Sequence, residues 1–374
     1  MAKCYRLIIL SVVATACGVA QQSTALRINE IQIIGSHNSY HAGIAANEME
    51  YLRKNNPRAA DALDYRHPPL ETQLDAGVRQ LELDVYGDAK GGLFANPAAP
   101  GMMAKAGFPA DPPFDPAGAM KKPGFKVLHV QDIDFRSNCQ PFVACLSIIR
   151  DWSKAHAGHL PIFVLVENKD GAARAENMTT PEPLTPETFD ALDAEIRSVF
   201  KQSEMITPDD VRGSHHTLEE AVLTSGWPTL ESARGKVIFL LDQRRVCPLY
   251  TKGHPSLEGR VLFTNATPGT PDAAFTEVNN SMADAKLIPG LVRKGYLVRT
   301  MTDPTPEGVR ANDTKKRDTA MESGAQILST DYPYGEKAAS GFAVQFDHGN
   351  VRCNPVSGGS HCDASAIGEA FRKQ

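Results

Sequence analysis

Short apolar runs rich in Val, Ile and Leu recur along the chain at 31–35, 78–86, 125–130, 161–167, 236–242, 260–264, 296–300 and 326–330. They are too continuous for strands with one face in water and suit strands buried on both faces of a parallel sheet. Amphipathic stretches separate several of them, at 69–76, 141–157, 186–200, 217–225 and 307–323. This alternation predicts a βα repeat, and eight such strands predict an α/β fold of the (β/α)8 TIM-barrel type. An open doubly wound sheet would carry a glycine-rich phosphate loop after its first strand, and none follows residues 31–35. Segments 87–122 and 171–186 are rich in Gly, Pro, Ala or Thr, lack periodicity and read as long loops. Each follows a strand, which puts it on the C-terminal face where such barrels build their sites. The chain after about residue 335 reads as an extension packed on a single barrel domain spanning 26–374.

Composition sharpens this picture at the N-terminus. Lys3 and Arg6 precede an apolar run over 7–20 followed by small residues, the pattern of a secretory signal cleaved after Ala20 or as late as Ala25. That run is shorter than the roughly 20 residues a spanning helix needs, so a transmembrane anchor is not expected. A lipoprotein signal ending at Cys17 is the lesser option, because Ala14 stands where a large aliphatic residue is usual. Removal of the signal takes Cys4 and Cys17 with it, and the close spacings of Cys139 with Cys145 and of Cys353 with Cys362 favour two local staples in an oxidising compartment, leaving Cys247 over. No CxxC repeat supports a zinc ribbon. With 374 residues, 42% hydrophobic, the chain is globular, and its net charge of −5 argues against nucleic acid as a partner. The same balance gives no bulk attraction to anionic membranes.

Candidate chemistry sits at the strand ends. The first strand runs into Ser36-His37-Asn38-Ser39-Tyr40, the second carries Glu82 and Asp84, the third ends at Leu128-His129, and the fourth at Glu167-Asn168-Lys169. Residues two apart on a strand share a face, so Glu82 and Asp84 point together into the barrel. Two like carboxylates there repel unless a cation neutralises them; a metal is one answer, an Arg or Lys across the barrel the other. Strand ends of one barrel converge on one mouth, which makes the four signals a joint pattern. The all-oxygen set Asn38, Glu82, Asp84 and Glu167 suits Ca2+, and zinc would have recruited the histidines. His37 and His129 then remain for proton transfer, the division of labour that cleaving a phosphodiester requires. His215-His216, adjacent residues before a helix, read as a loop feature.

His37-Asn38-Ser39-Tyr40, Val78-Arg79-Gln80-Leu81-Glu82-Leu83-Asp84, Leu128-His129 and Val166-Glu167-Asn168 resemble, in order, the motifs of the calcium-dependent phosphoinositide-specific phospholipase C family. The segments Gly235-Lys236 and Leu328-Ser329-Thr330-Asp331-Tyr332-Pro333 are similar to its secreted, single-domain bacterial and fungal members. The resemblance implies that Asn38, Glu82, Asp84 and Glu167 hold Ca2+, with a carboxylate such as Glu82 helping to deprotonate the inositol 2-hydroxyl. It implies His37 as general acid for the diacylglycerol oxygen, then as base for opening a cyclic inositol phosphate, and His129 as stabiliser of the charged phosphorus. The larger relatives have lysines for ring phosphates where this chain has Leu240-Leu241-Asp242-Gln243, so plain phosphatidylinositol is the expected substrate. Arg299 is read either as a substrate contact or as an ion-paired barrel residue. Lys169 is a second candidate substrate contact, and Lys169, Asp132 and Asp134 are read either as partners of His129 and the ion or as solvated loop charges. A monomer that meets the membrane peripherally and transiently is expected. Leu93, Phe94, Met102, Met103 and Phe108 are candidates for dipping into lipid or for packing on the barrel. A glycerophosphodiester phosphodiesterase is the nearest rival, although it usually has Arg after its first His where this chain has Asn38; a barrel that binds calcium or a sugar phosphate without turnover is the second rival.

Overall fold

The computed structural model describes residues 25–171, 178–365 and 367–369. The expected signal segment and its cleavage sites up to residue 24 lie outside the described residues. Among the described residues ten strands form one sheet: β1 (Ile31–Ser36), β2 (Gln80–Tyr86), β3 (Lys126–Val127), β4 (Ile162–Asn168), β5 (Val237–Leu241), β6 (Leu262–Thr264), β7 (Phe275–Glu277), β8 (Leu297–Met301), β9 (Ile327–Thr330) and β10 (Val351–Cys353). Eight of them run parallel in the order β6-β5-β4-β2-β1-β9-β8-β7. A parallel bridge from Asn265 to Phe275 joins the two ends, with the Ala266 N–H donating to the Phe275 carbonyl at 3.1 Å, so the barrel is nearly closed.

The number of barrel strands is as expected, but one member differs. Residues 125–130 do not form a barrel strand: only Lys126–Val127 is extended, and it pairs antiparallel with the upper end of β2. Its apolar character has another cause, since Leu128 packs with Tyr86, Phe94 and Met120 in a small cluster under the long loop. The eighth barrel strand is β7, three residues with Thr and Glu among them, too short and too polar to stand out as an apolar run. The stretch 307–323 is likewise two helices, Pro306–Arg310 and Lys315–Glu322, parted by Asn312 at φ 52. The loop 87–122 also contains a helix, Ala98–Lys105. Of its apolar candidates, Phe94 and Met103 are buried, Leu93 and Phe108 are half-buried, and Met102 is exposed.

The helices that match expectation cover the barrel by the usual stripe. Phe142–Ala155 buries Phe142, Cys145, Leu146, Ile149 and Trp152 at three- and four-residue spacing, and Pro186–Val199 buries Phe189, Leu192 and Ile196 after a Thr185 cap. Strands β1 and β2 cross closely at Gly35 and Gln80, where a Cβ on Gly35 would lie 2.7 Å from the Gln80 Cβ; only glycine fits. Below that crossing β2 leaves the edge of β1 free, and β10 fills it antiparallel, Ile31 to Ile33 against Cys353 to Val351. The disulfide Cys353–Cys362 ties this strand to the tail, Cys139–Cys145 staples the start of a helix, and Cys247 is a buried free thiol. At the lower end, Glu369 accepts from Arg79 Nε at 2.7 Å and from the Leu160 N–H, so the C-terminal tail is fastened to the starts of β2 and β4. No helix among the described residues is long and apolar enough to cross a membrane.

Candidate active site

The turn after β1 is locked to its neighbours by backbone bonds. The His37 N–H donates to Thr330 on β9 at 2.9 Å, the Ser39 N–H donates to the Glu82 carbonyl at 3.1 Å, and the Glu82 N–H donates to Ser39 Oγ at 2.8 Å. Asn38 takes φ 46, a left-handed position that asparagine tolerates better than most residues. Its Nδ2 donates to the Tyr65 hydroxyl oxygen at 2.7 Å, which leaves Oδ1 as the acceptor end. His37 points one ring nitrogen at each of two carboxylates: Nδ1 lies 2.8 Å from Asp331 Oδ1, and Nε2 lies 3.6 Å from Glu82 Oε1. Burial disfavours the charged ring, but Glu82 and Asp331 outweigh it and lift the His37 pKa to about 10.

On the barrel wall, Asp84 of β2 stands opposite Glu167 of β4 in the parallel register. Neither oxygen of buried Asp84 receives a well-directed hydrogen bond. Charge compensates instead: Lys169 Nζ sits 2.9 Å from Asp84 Oδ2 and 2.8 Å from Glu167 Oε2. Burial still raises the Asp84 pKa to about 7, against the pull of that ammonium. Single oxygens of Glu82, Glu167 and Asp242 lie within 4.8 Å of one another. Burial, together with Glu277 and Glu82, pushes Asp242 up to about 9. Arg299 donates to Glu82 Oε2 at 2.7 Å, to Asn279 Oδ1 at 2.9 Å and to Ser329 Oγ at 3.0 Å, and is also paired with Glu277. Of its two sequence readings, the ion-paired one is what the side chain does here.

His129 reaches the same mouth from the loop beyond β3 rather than from a barrel strand. Its Nδ1 meets Asp134 Oδ2 at 2.7 Å, and the fully buried His41 donates Nε2–H to the same carboxylate at 2.9 Å. Burial alone would raise Asp134, but the hydrogen bonds from His129 and His41 prevail and bring it to about 2. Asp134 is therefore a held partner of His129, whereas Asp132 accepts from the Ala98 N–H at the start of the loop helix and from the Thr179 N–H of the loop after β4. His215 pairs with Glu220 at a helix start, as a loop feature should.

The chain thus brings His37, Glu82, Asp84, Glu167, Lys169 and Arg299 into one contact network, while Asn38, next to His37, is held by the Tyr65 and Tyr40 hydroxyls. Sequence reasoning missed Asp331, His41, Tyr65, Asp242 and Glu277 as members of the site. Asp242 ended an expected strand and was legible as another strand-end acid; Glu277 was hidden with β7.

Histidines beside a group of carboxylates in one barrel mouth are an arrangement suited to enzymes acting on phosphoric diesters. The sequence model of the family described as phosphoinositide phospholipase C, Ca2+-dependent, matches residues 26–355, and the chain belongs to that family, whose cofactor is calcium. No curated protein sequence matches the chain. Among solved structures, a calcium-dependent phosphoinositol-specific phospholipase C from a Gram-negative Pseudomonas species, in its apo form, matches with 16% identity over 88% of this chain and 95% of that one, at a TM-score of 0.54. A myo-inositol complex of the same kind of Pseudomonas enzyme matches over 88% and 96% at the same identity and TM-score. These likenesses bear on the fold, which is the barrel described above.

Acid titration isolates Asp134. Its lowered folded pKa stabilises the protein above the unfolded value of 3.8, and that contribution is lost as pH falls through about 2. Asp134→Asn is expected to cost about 2 kcal/mol near neutrality and to remove this part of the acid dependence. Urea denaturation of both proteins at pH 6, 4 and 3 checks it; parallel curves would contradict it.

Proposed function

We propose that this chain is a secreted phosphatidylinositol phospholipase C that uses calcium and releases diacylglycerol by intramolecular attack of the inositol 2-hydroxyl. The observation carrying the reading is that His37, backed by Asp331, faces Glu82 at the edge of an acidic, oxygen-only cradle. The residues present suit calcium: the donors are all oxygen, Asp84 is a buried carboxylate short of hydrogen bonds, and an ammonium already stands between Asp84 and Glu167. Asn38, Glu82, Asp84 and Glu167 would hold the ion. The chemistry it supplies when bound is positive charge against the phosphate and a lowered pKa for the 2-hydroxyl.

Glu82 accepts the proton of that hydroxyl as its oxygen attacks phosphorus. The bond from phosphorus to the glycerol oxygen breaks, and His37 Nε2 delivers a proton to the leaving oxygen. Asp331 accepts from Nδ1–H, which fixes the ring with Nε2 toward the reaction. The first product is a cyclic inositol phosphate; water then opens it with His37 as base. His129, held through Nδ1 by Asp134, directs its other nitrogen to the phosphate oxygens. Lys169 is proposed to meet the substrate at the rim, and Arg299 to act through Glu82, which it orients. The two disulfides and the signal-like N-terminus support export.

Phosphatidylinositol vesicles should release diacylglycerol in Ca2+ and stop in a chelator. Release from glycerophosphodiesters with none from phosphatidylinositol would overturn the reading. The wall beside Glu82 presents Asp242, Glu277 and the ion-paired Arg299 in place of the lysines that would pair with phosphates on the inositol ring. Phosphatidylinositol is therefore expected to exceed phosphatidylinositol 4-phosphate in kcat/KM by at least about tenfold, a gap of 1.4 kcal/mol. Competition of the two lipids in mixed micelles checks this, and equal rates would count against it.

A further inference from the structure

We propose that Lys169 is a tethered cation that exchanges with calcium at the Asp84–Glu167 pair and so sets how tightly the ion is held. The inference rests on the ligand set proposed above and adds a residue that opposes it. Register places Asp84 and Glu167 side by side on β2 and β4, and Lys169 Nζ is within 2.9 Å of one and 2.8 Å of the other. Calcium binds carboxylate oxygens at roughly 2.3–2.6 Å. An ion shared by these two carboxylates draws on the oxygens the ammonium now uses, and two cations in one such gap repel at a distance where Coulomb energies are large.

The exchange is local. The Lys169 N–H donates to the Val85 carbonyl at 2.8 Å, so the backbone is fixed to β2 and the ammonium leaves by rotating its own side-chain torsions. The side chain is partly exposed, at 20%, while that of Asp84 is fully buried, so the way out is toward the mouth, where a phosphodiester anion arrives. The lysine therefore keeps two facing carboxylates compensated until calcium replaces it, and then presents its charge at the substrate side. A site that must first give up its own cation loads only where calcium is abundant.

Calorimetric titration of calcium into the metal-stripped full chain, without lipid, tests this. Lys169→Met and Lys169→Gln are expected to bind calcium at least tenfold more tightly than the wild type and to show a larger calcium-induced rise in Tm. Lys169→Arg, which keeps the charge, should bind no more tightly than the wild type. If both neutral variants, folded by circular dichroism, bind calcium as the wild type does or more weakly, the exchange is wrong. If neutral variants unfold without calcium, their refolding on calcium addition at concentrations below the wild-type Kd supports it, and failure to refold overturns it. Asp84→Asn separates the two readings: lost binding there with unchanged affinity in Lys169→Met sinks the exchange alone, whereas unchanged binding in Asp84→Asn sinks the ligand set.

Discussion

Replacing His37 with alanine should lower turnover of phosphatidylinositol by about 10⁴-fold, the upper end of what a positioned acid–base group contributes, because the same ring serves both half-reactions. Binding should change little, since the ring meets substrate only at the leaving oxygen. The loss depends on the leaving group. Diacylglycerol departs as a poor alkoxide and needs the proton, whereas an aryl inositol phosphate departs as a stable phenolate. With a p-nitrophenyl leaving group the deficit should shrink to about 10²-fold. Glu82 and Asp331 supply the reason the ring carries that proton: although burial works against the charge, the two carboxylates hold the pKa near 10, so the imidazolium persists at neutral pH. An equal deficit with both leaving groups would contradict the acid role and leave His37 a mere spacer.

Glu82→Gln should be as damaging for a different reason. Three interactions meet at this carboxylate: His37 Nε2 at 3.6 Å, Arg299 at 2.7 Å, and the oxygens of Glu167 and Asp242. Glutamine keeps the shape and an acceptor for Arg299, so the fold should persist. It removes the proton acceptor and one charge from the cation cradle. We expect kcat to fall by about 10³-fold or more and calcium to bind at least tenfold more weakly in calorimetry. Loss of activity with intact calcium affinity would confine Glu82 to proton transfer; intact activity would remove it from the mechanism.

These two residues were legible because strand geometry is simple. A period of two puts Glu82 and Asp84 on one face, and the end of an apolar run puts His37 at the mouth. What stayed hidden depends on three-dimensional neighbours. Asp331 backs His37 from nearly 300 residues away, and His41 shares Asp134 with His129 from another loop. Lys169 was visible as a strand-end cation, but its seat between Asp84 and Glu167 follows from the β2–β4 register. The misassigned strand has the same lesson. Val127 and Leu128 are apolar because they cover the loop cluster and β2, while Phe275–Glu277 earns its place in the barrel through hydrogen bonds to β8 and a bridge to Asn265, which three residues do not advertise.

Phosphorus NMR of phosphatidylinositol hydrolysis tests the central claim most directly. With Ca2+ present, the lipid phosphodiester resonance should give way first to a five-membered cyclic inositol phosphate and later to the inositol monophosphate, and chelation should freeze the spectrum. Direct appearance of the monophosphate without the cyclic species, or hydrolysis undiminished in chelator, would contradict intramolecular attack supported by calcium.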